Sequence, residues 1–209
     1  MREAVDYFEN HRYKLRFPWS LYHRPIVQAF EAALGRSPGP EVLNVGAGPF
    51  FELTAVDARA RRLTVCDIDE RAVEFAKEIH GTKLSGADTI EPGDPLPYGD
   101  ERFDLVVAMD VVEHLHDPLP WLKELVRVTR RGGELFLTTP NYASKSLVAI
   151  EKTALELVAR SHGFSRKDLH PTKFDAPSLR ALLERAGASR VDVGLLSLGW
   201  VLAARSTRE

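Results

Sequence analysis

Three groups of residues in this sequence have types and spacings that can do chemistry. The turn Asn44-Val-Gly46-Ala-Gly48-Pro-Phe50 follows a short apolar run, 41–45. Glycines at such a turn let the backbone bend sharply and approach a ligand without a Cβ in the way. A helix starting just after it would leave its first N–H groups for an anionic or polar ligand. Asp67 ends the next apolar run, about twenty residues on. An acid at that place in open α/β folds accepts hydrogen bonds from both hydroxyls of a ribose. Further along stand Asp110, Glu113 and His114, with His170 much later. If the chain after Met109 turns helically, positions 110, 113 and 114 share one face. Two carboxylates and an imidazole there, joined by His170, suit a divalent cation.

These residues need a scaffold, and the apolar periodicity supplies one. Runs at 41–45, 62–66, 83–85, 103–109 and 134–139 read as strands, most of them continuously apolar as in a parallel sheet. Helical spacing is expected over 51–56, 70–80, with Asp69 as N-cap and Gly81 as stop, 120–129, 146–160 and 177–186. Strands alternating with helices imply a mostly parallel sheet with right-handed crossovers. The tail departs from that rhythm. Runs 190–195 and 200–204 are separated by a few residues only, so they must be antiparallel neighbours. The expected fold is α/β and Rossmann-like, with seven strands, helices on both faces and an antiparallel C-terminal hairpin. Ahead of it, 1–38 reads as a helical arm or cap interrupted near Phe17-Pro18. The region 39–209 reads as the main domain, with 141–173 as an added lid.

The 209 residues fit one domain with a modest appendage. The net charge of -2 does not suggest a dedicated nucleic-acid binder. Cys66 is the single cysteine, so no internal disulfide can form, which suits a reducing compartment. No run approaches membrane-spanning length and the N-terminus lacks the apolar core of a signal peptide, so a cytoplasmic protein without membrane insertion is expected, as monomer or homodimer.

Four stretches, in order and at matching spacing, resemble the class I S-adenosylmethionine-dependent methyltransferases, of the type 11/12 kind and similar to the ubiquinone-biosynthesis O-methyltransferases. They are Asn44-Val-Gly46-Ala-Gly48, Val65-Cys-Asp67-Ile-Asp69, the run from Leu96 to Leu115 containing Asp110-Val-Val-Glu113-His114, and the run from Arg127 to Asn141. The dinucleotide pattern fits less well, because it needs a glycine where Phe51 stands.

The resemblance implies S-adenosyl-L-methionine as cofactor, with S-adenosyl-L-homocysteine as product. Gly46 and Ala47 would lie beside its methionine part, with Gly48 opening space. Asp67 would hold the ribose, Ile68 would press on adenine, and Asp88, next to Ala87, would accept from the adenine amino group, with Asp94 as the alternative acid. Met109 and Asp110 would face the sulfur. His114 is the first candidate for a catalytic base, since an unperturbed imidazole titrates near working pH. Asp110 and Glu113 complete the candidate catalytic set, and Asp110, Glu113, His114 and His170 the candidate metal set. The acceptor side is expected from the aromatic–basic arm and the lid, with Tyr22, Arg24, Asn141 and His170 as contacts for a small molecule. Two features depart from the family pattern. Asn44 stands where an acid is usual, and Pro49-Phe50 occupies the place of a third glycine. These departures leave a cofactor-binding scaffold without turnover as the competing reading.

Overall fold

The computed structural model describes residues 16–59, 61–156 and 170–209. Seven strands form one sheet: β1 (Glu41–Val45), β2 (Arg62–Asp67), β3 (Leu84–Thr89), β4 (Phe103–Met109), β5 (Thr129–Pro140), β6 (Ser189–Leu196) and β7 (Val201–Thr207). Their order is β3-β2-β1-β4-β5-β7-β6. Neighbours from β3 to β5 run parallel. β7 enters antiparallel between β5 and β6. The C-terminal hairpin expected from the short connection is therefore present, and its second strand is the one that joins the sheet. The order reverses between β1 and β4, so their carboxyl ends diverge into a crevice, where ligands bind in open α/β sheets.

Two apolar layers cover the sheet. On one face α1 (Ser20–Arg36) and α2 (Glu70–His80) pack Phe30, Ala33, Leu34 and Ala76 on Val42, Leu63, Leu105 and Phe136. On the other, α3 (Pro118–Val128) and α5 (Ala176–Arg185) bring Leu122, Leu125, Leu179 and Leu183 to Leu43, Val106 and Leu135. Alternate strand residues thus face opposite apolar layers, which is why these strands are rich in apolar residues on both faces. The helices start where their side chains allow. Asp69 accepts from the Arg71 N–H at the head of α2, and Asp175 with Ser178 forms a capping box at the head of α5.

Three expectations change. The helix at 51–56 is a single 3-10 run, Phe51–Ala55. Phe50 ahead of it is left-handed, with φ +50, and wholly buried. Its ring packs on Phe30 and His80, so core packing, not helix propagation, sets the chain direction there. β5 begins at Thr129, before the glycines expected to precede it, because Gly132 accommodates φ +77 within the strand. The helix expected at 146–160 is α4 (Lys145–Ile150), running on as a π-helical turn over Glu151–Leu155. The expectations for 1–15 and 157–169, and with them part of the expected arm and lid, lie outside the described residues.

Candidate active site

At the carboxyl end of β1 the backbone doubles back through Gly46 (φ +67) and Gly48 (φ +53). A Cβ at Gly46 would stand 2.6 Å from a methyl of Val111, so glycine is required by close approach as well as by conformation. The Gly46 and Ala47 N–H groups both donate to the Cys66 carbonyl, at 2.8 and 3.2 Å. Those two donors brace the turn against β2. The Gly48 N–H donates to Asp67 Oδ2 at 2.7 Å, and the Asp69 N–H to Oδ1 at 3.0 Å. One donor per carboxylate oxygen leaves a lone-pair direction on each, the valence a diol needs. Ile68, beside it, is exposed although large and apolar, which suits a platform for a flat ring.

His80 of α2 donates from Nε2 to the Phe50 carbonyl at 2.8 Å. Its Nδ1 is buried without a partner. Burial therefore holds the imidazole below its ordinary pKa, as a neutral ring fastening the Pro49-Phe50 corner.

Asn44 is 1% exposed, and neither its amide nitrogen nor its amide oxygen has a hydrogen-bond partner. In β1 it pairs with Val65 and Val107, on the face of the apolar layer under α1. Buried polar groups in proteins are nearly always satisfied. An amide left orphaned two residues before Gly46 is one that a polar ligand group would satisfy. A glycine cradle, a diol-accepting carboxylate and this amide together fit S-adenosylmethionine.

On the proposed adenine side, Ala87 and Asp88 lie near the end of β3, where Asp88 pairs with Cys66. The Tyr98 hydroxyl donates to Asp88 Oδ2 at 2.9 Å. Burial pushes the Tyr98 phenol above its usual range and the Cys66 thiol up to about 12. Both groups stay protonated as donors. Asp94, the other candidate, sits exposed in the turn that follows, its N–H bonded to Glu91. Asp88 thus lies in β3 one residue before its end, and Asp94 in the turn beyond it.

After Met109 the chain does not turn helically. Asp110 adopts φ +55, and only Val112–His114 forms a 3-10 turn. Asp110, Glu113 and His114 therefore do not share a helical face. Asp110 accepts from the Thr138 hydroxyl at 2.9 Å, and Glu113 from Thr139 at 3.0 Å. Glu113 is buried. Desolvation, reinforced by the neighbouring Asp110 charge, holds its carboxyl well above the ordinary range. Glu113, His114 and His170 nevertheless converge, with ligand atoms within 4.8 Å of one another, and Asp110 is outside that group. The two imidazole rings meet edge to face at 4.9 Å. The Tyr142 hydroxyl meets His170 Nδ1 at 2.5 Å, and Glu151 Oε1 lies 3.9 Å from the same nitrogen. Tyr22 of α1 completes the group, its phenol pushed up by burial and then by Asp110, Glu113 and Glu151.

The other two acceptor candidates stand in different surroundings. Arg24 is exposed on α1. Asn141 is buried, its amide donating to the Gly199 carbonyl at 2.8 Å and accepting from the Ala143 N–H at 3.1 Å. Its polar atoms tie β5 to the β7 hairpin. Sequence reasoning missed Tyr98, Thr138, Thr139, Tyr142 and Glu151. The paired threonines closing an apolar strand were the one visible signal, since a buried run seldom ends on two hydroxyls without a use for them.

Comparison with known proteins agrees with this geometry. The family model described as a methyltransferase domain matches residues 43–137. A demethylmenaquinone methyltransferase of Mycobacterium sp. (strain JLS) is 30% identical over 164 residues, covering 76% of this chain and 68% of the relative. A probable S-adenosylmethionine-dependent methyltransferase of Mycobacterium tuberculosis (strain H37Rv) is 27% identical over 193 residues, or 85% of this chain, which spans 66% of that relative's length. Among solved structures, magnesium protoporphyrin IX methyltransferase from Synechocystis PCC 6803, with bound SAH, superposes with a TM-score of 0.67 at 18% identity, covering 97% of this chain and 94% of that one. That likeness concerns the fold. With the crevice, the cradle and the strand order in place, this chain belongs to the S-adenosylmethionine-dependent methyltransferase family.

Proposed function

We propose that the protein transfers a methyl group from S-adenosyl-L-methionine to an oxygen or nitrogen of a small-molecule acceptor. The observation that carries this reading is the Asp67 carboxylate held at the crevice by the Gly48 N–H, with one acceptor direction left on each oxygen. In the bound state Asp67 takes the ribose hydroxyls, Ile68 covers one face of the adenine, and Asp88 accepts from the amino group. Asn44 offers its orphaned amide to the methionine part.

The cofactor supplies a methyl carbon already activated for displacement. The protein's task is alignment, worth up to roughly 7–11 kcal/mol in well-oriented systems. Tyr22, Tyr142 and protonated Glu113 are donors that orient the acceptor, and His114 at the exposed edge of the group takes its proton.

A divalent cation on Glu113, His114 and His170 is a second reading, favoured by their convergence. Such an ion would orient an acceptor diol and would require Glu113 to ionise. Titrating the purified protein with Mg²⁺ or Mn²⁺ decides this, and activity and acceptor binding that ignore the metal remove it.

Calorimetry with S-adenosylmethionine and S-adenosylhomocysteine tests the main reading, together with an assay for released S-adenosylhomocysteine in the presence of candidate acceptors. Binding with turnover is expected. Binding without turnover on any acceptor favours the scaffold, for which the neutral Asn44 is the supporting feature, and no binding ends both.

A further inference from the structure

Among the described residues, several large apolar side chains near Tyr22, on the acceptor side of the candidate site, are exposed. Phe17 is 81% exposed and Leu198 77%, and Trp19, Leu21 and Leu195 are also exposed. They come from two places far apart in sequence. The start of α1 and the connector Ser197–Gly199 are joined by the Ser197 hydroxyl, which donates to the Tyr22 carbonyl at 2.5 Å. Tyr22 feels the charges of Asp110 and Glu113, while Leu21 beside it faces outward. The lip is thus continuous with the acceptor side of the crevice.

Two further observations say what the lip meets. Leu198 holds φ +60 and Ser197 φ +51, the left-handed region that L-residues with bulky side chains avoid. Glycine or asparagine would relieve that turn, yet it presents an exposed leucine. Strain kept at an exposed apolar tip points to a use for that tip. The second observation concerns charge. Segments 16–24, 141–148 and 195–201 bring Arg16, Arg24 and Lys145 and contain no aspartate or glutamate, in a chain whose acids outnumber its bases. All three cations are exposed. Lys145 precedes Ser146, whose hydroxyl accepts from Trp200 Nε1 at 2.9 Å beside the connector.

We propose that this lip docks the mouth of the site on an anionic lipid bilayer. Leucine and aromatic side chains enter the headgroup boundary and the arginines and lysine meet lipid phosphates, the arrangement of interfacial binders that do not span the membrane. Resting on the methyl-transfer reading, this makes the acceptor a lipid-soluble molecule that enters from the bilayer side.

The test is co-sedimentation of the full chain with phosphatidylcholine vesicles containing about 30% phosphatidylglycerol, against phosphatidylcholine alone. Binding to the anionic vesicles is expected, falling about fivefold for each of Arg16→Glu and Arg24→Glu. It should weaken further in about 0.5 M salt, where screening is short-ranged. Leu198→Asp should abolish it. Leu198→Gly removes both the side chain and the strain, so it should lose vesicle binding while melting no lower than wild type. Calorimetry with S-adenosylhomocysteine should be unchanged in these variants, which separates failure of docking from failure of the cofactor reading. A wild-type protein left in the supernatant with anionic vesicles at low salt overturns the proposal. So does a dimer that Leu198→Asp converts to monomer, which would assign the lip to a second copy of the chain.

Discussion

The Gly48 N–H and the Asp67 carboxylate, nineteen positions apart, meet at 2.7 Å across the ends of β1 and β2. The acid proposed to hold the ribose is therefore also a clamp on the glycine turn. Hydrogen bonds to charged groups contribute about 1.5–3 kcal/mol. Asp67→Asn can no longer accept on both sides with full charge, so affinity for S-adenosylhomocysteine should fall by at least about tenfold, one such bond's worth. Thermal stability should fall too, since the Gly48 donor is weakened. Calorimetry and a melting curve on one preparation read both. Unchanged affinity would sink the assignment of Asp67.

Asn44 should show the opposite pairing of effects. An unsatisfied buried amide costs about 1–3 kcal/mol, and Asn44→Leu replaces it with an apolar group of similar size among Val65 and Val107. The variant should be more stable than wild type toward urea yet bind the cofactor more weakly. If it is more stable and binds equally well, the amide has no part in recognition.

Tyr98→Phe removes one hydroxyl and leaves the ring packed on Phe103. Without its donor, Asp88 is no longer fixed. Adenosyl-cofactor affinity should drop about 2- to 10-fold, one neutral-donor hydrogen bond's worth. An inosyl analogue lacking the adenine amino group should be affected less. Equal losses for both would mean the hydroxyl only supports packing.

Glu113 carries a pH signature with a definite sign. Its folded pKa is raised above the unfolded value of 4.5, so between the two the folded state holds the extra proton. Stability then decreases as pH rises through that window. Glu113→Gln keeps an acceptor for Thr139 and removes the titration. The variant should match wild type near pH 4 and melt higher at pH 8, by about 2–4 °C for each kcal/mol recovered. Parallel melting curves across that range would contradict the protonated state.

His80 should act at the acid end. Its folded pKa lies below the unfolded 6.5. The neutral ring's contribution is present above 6.5 and is lost as pH falls, because protonation would put a donor on the partnerless Nδ1. Wild type should therefore lose stability between pH 7 and pH 5 more steeply than His80→Gln. Unfolding midpoints in urea at the two pH values decide it.

Local pattern determined much of this protein. Mostly apolar runs marked β1 and β4 residue for residue, because strands buried on both faces have no solvent side to fill with polar residues. Gly46, Gly48, Asp69 and Gly81 punctuate the chain through stereochemistry that each residue carries alone. The short link between β6 and β7 required an antiparallel pair.

Tertiary structure decided the rest, since sheet register and packing bring together residues whose neighbours in sequence say nothing of the meeting. The insertion of β7 between β5 and β6 was invisible, because a hairpin fits a sheet edge either way round. Left-handed Asp110 undid the helical face that its spacing suggested, and Thr138 and Thr139 took the two carboxylates apart. Tyr98 reached Asp88, and His170 reached His114 across more than fifty residues, by folding alone. A solvated lysine, a buried acid and an orphaned amide look alike in a sequence until the surroundings set the dielectric and the partners, and those surroundings exist only once the layers have closed.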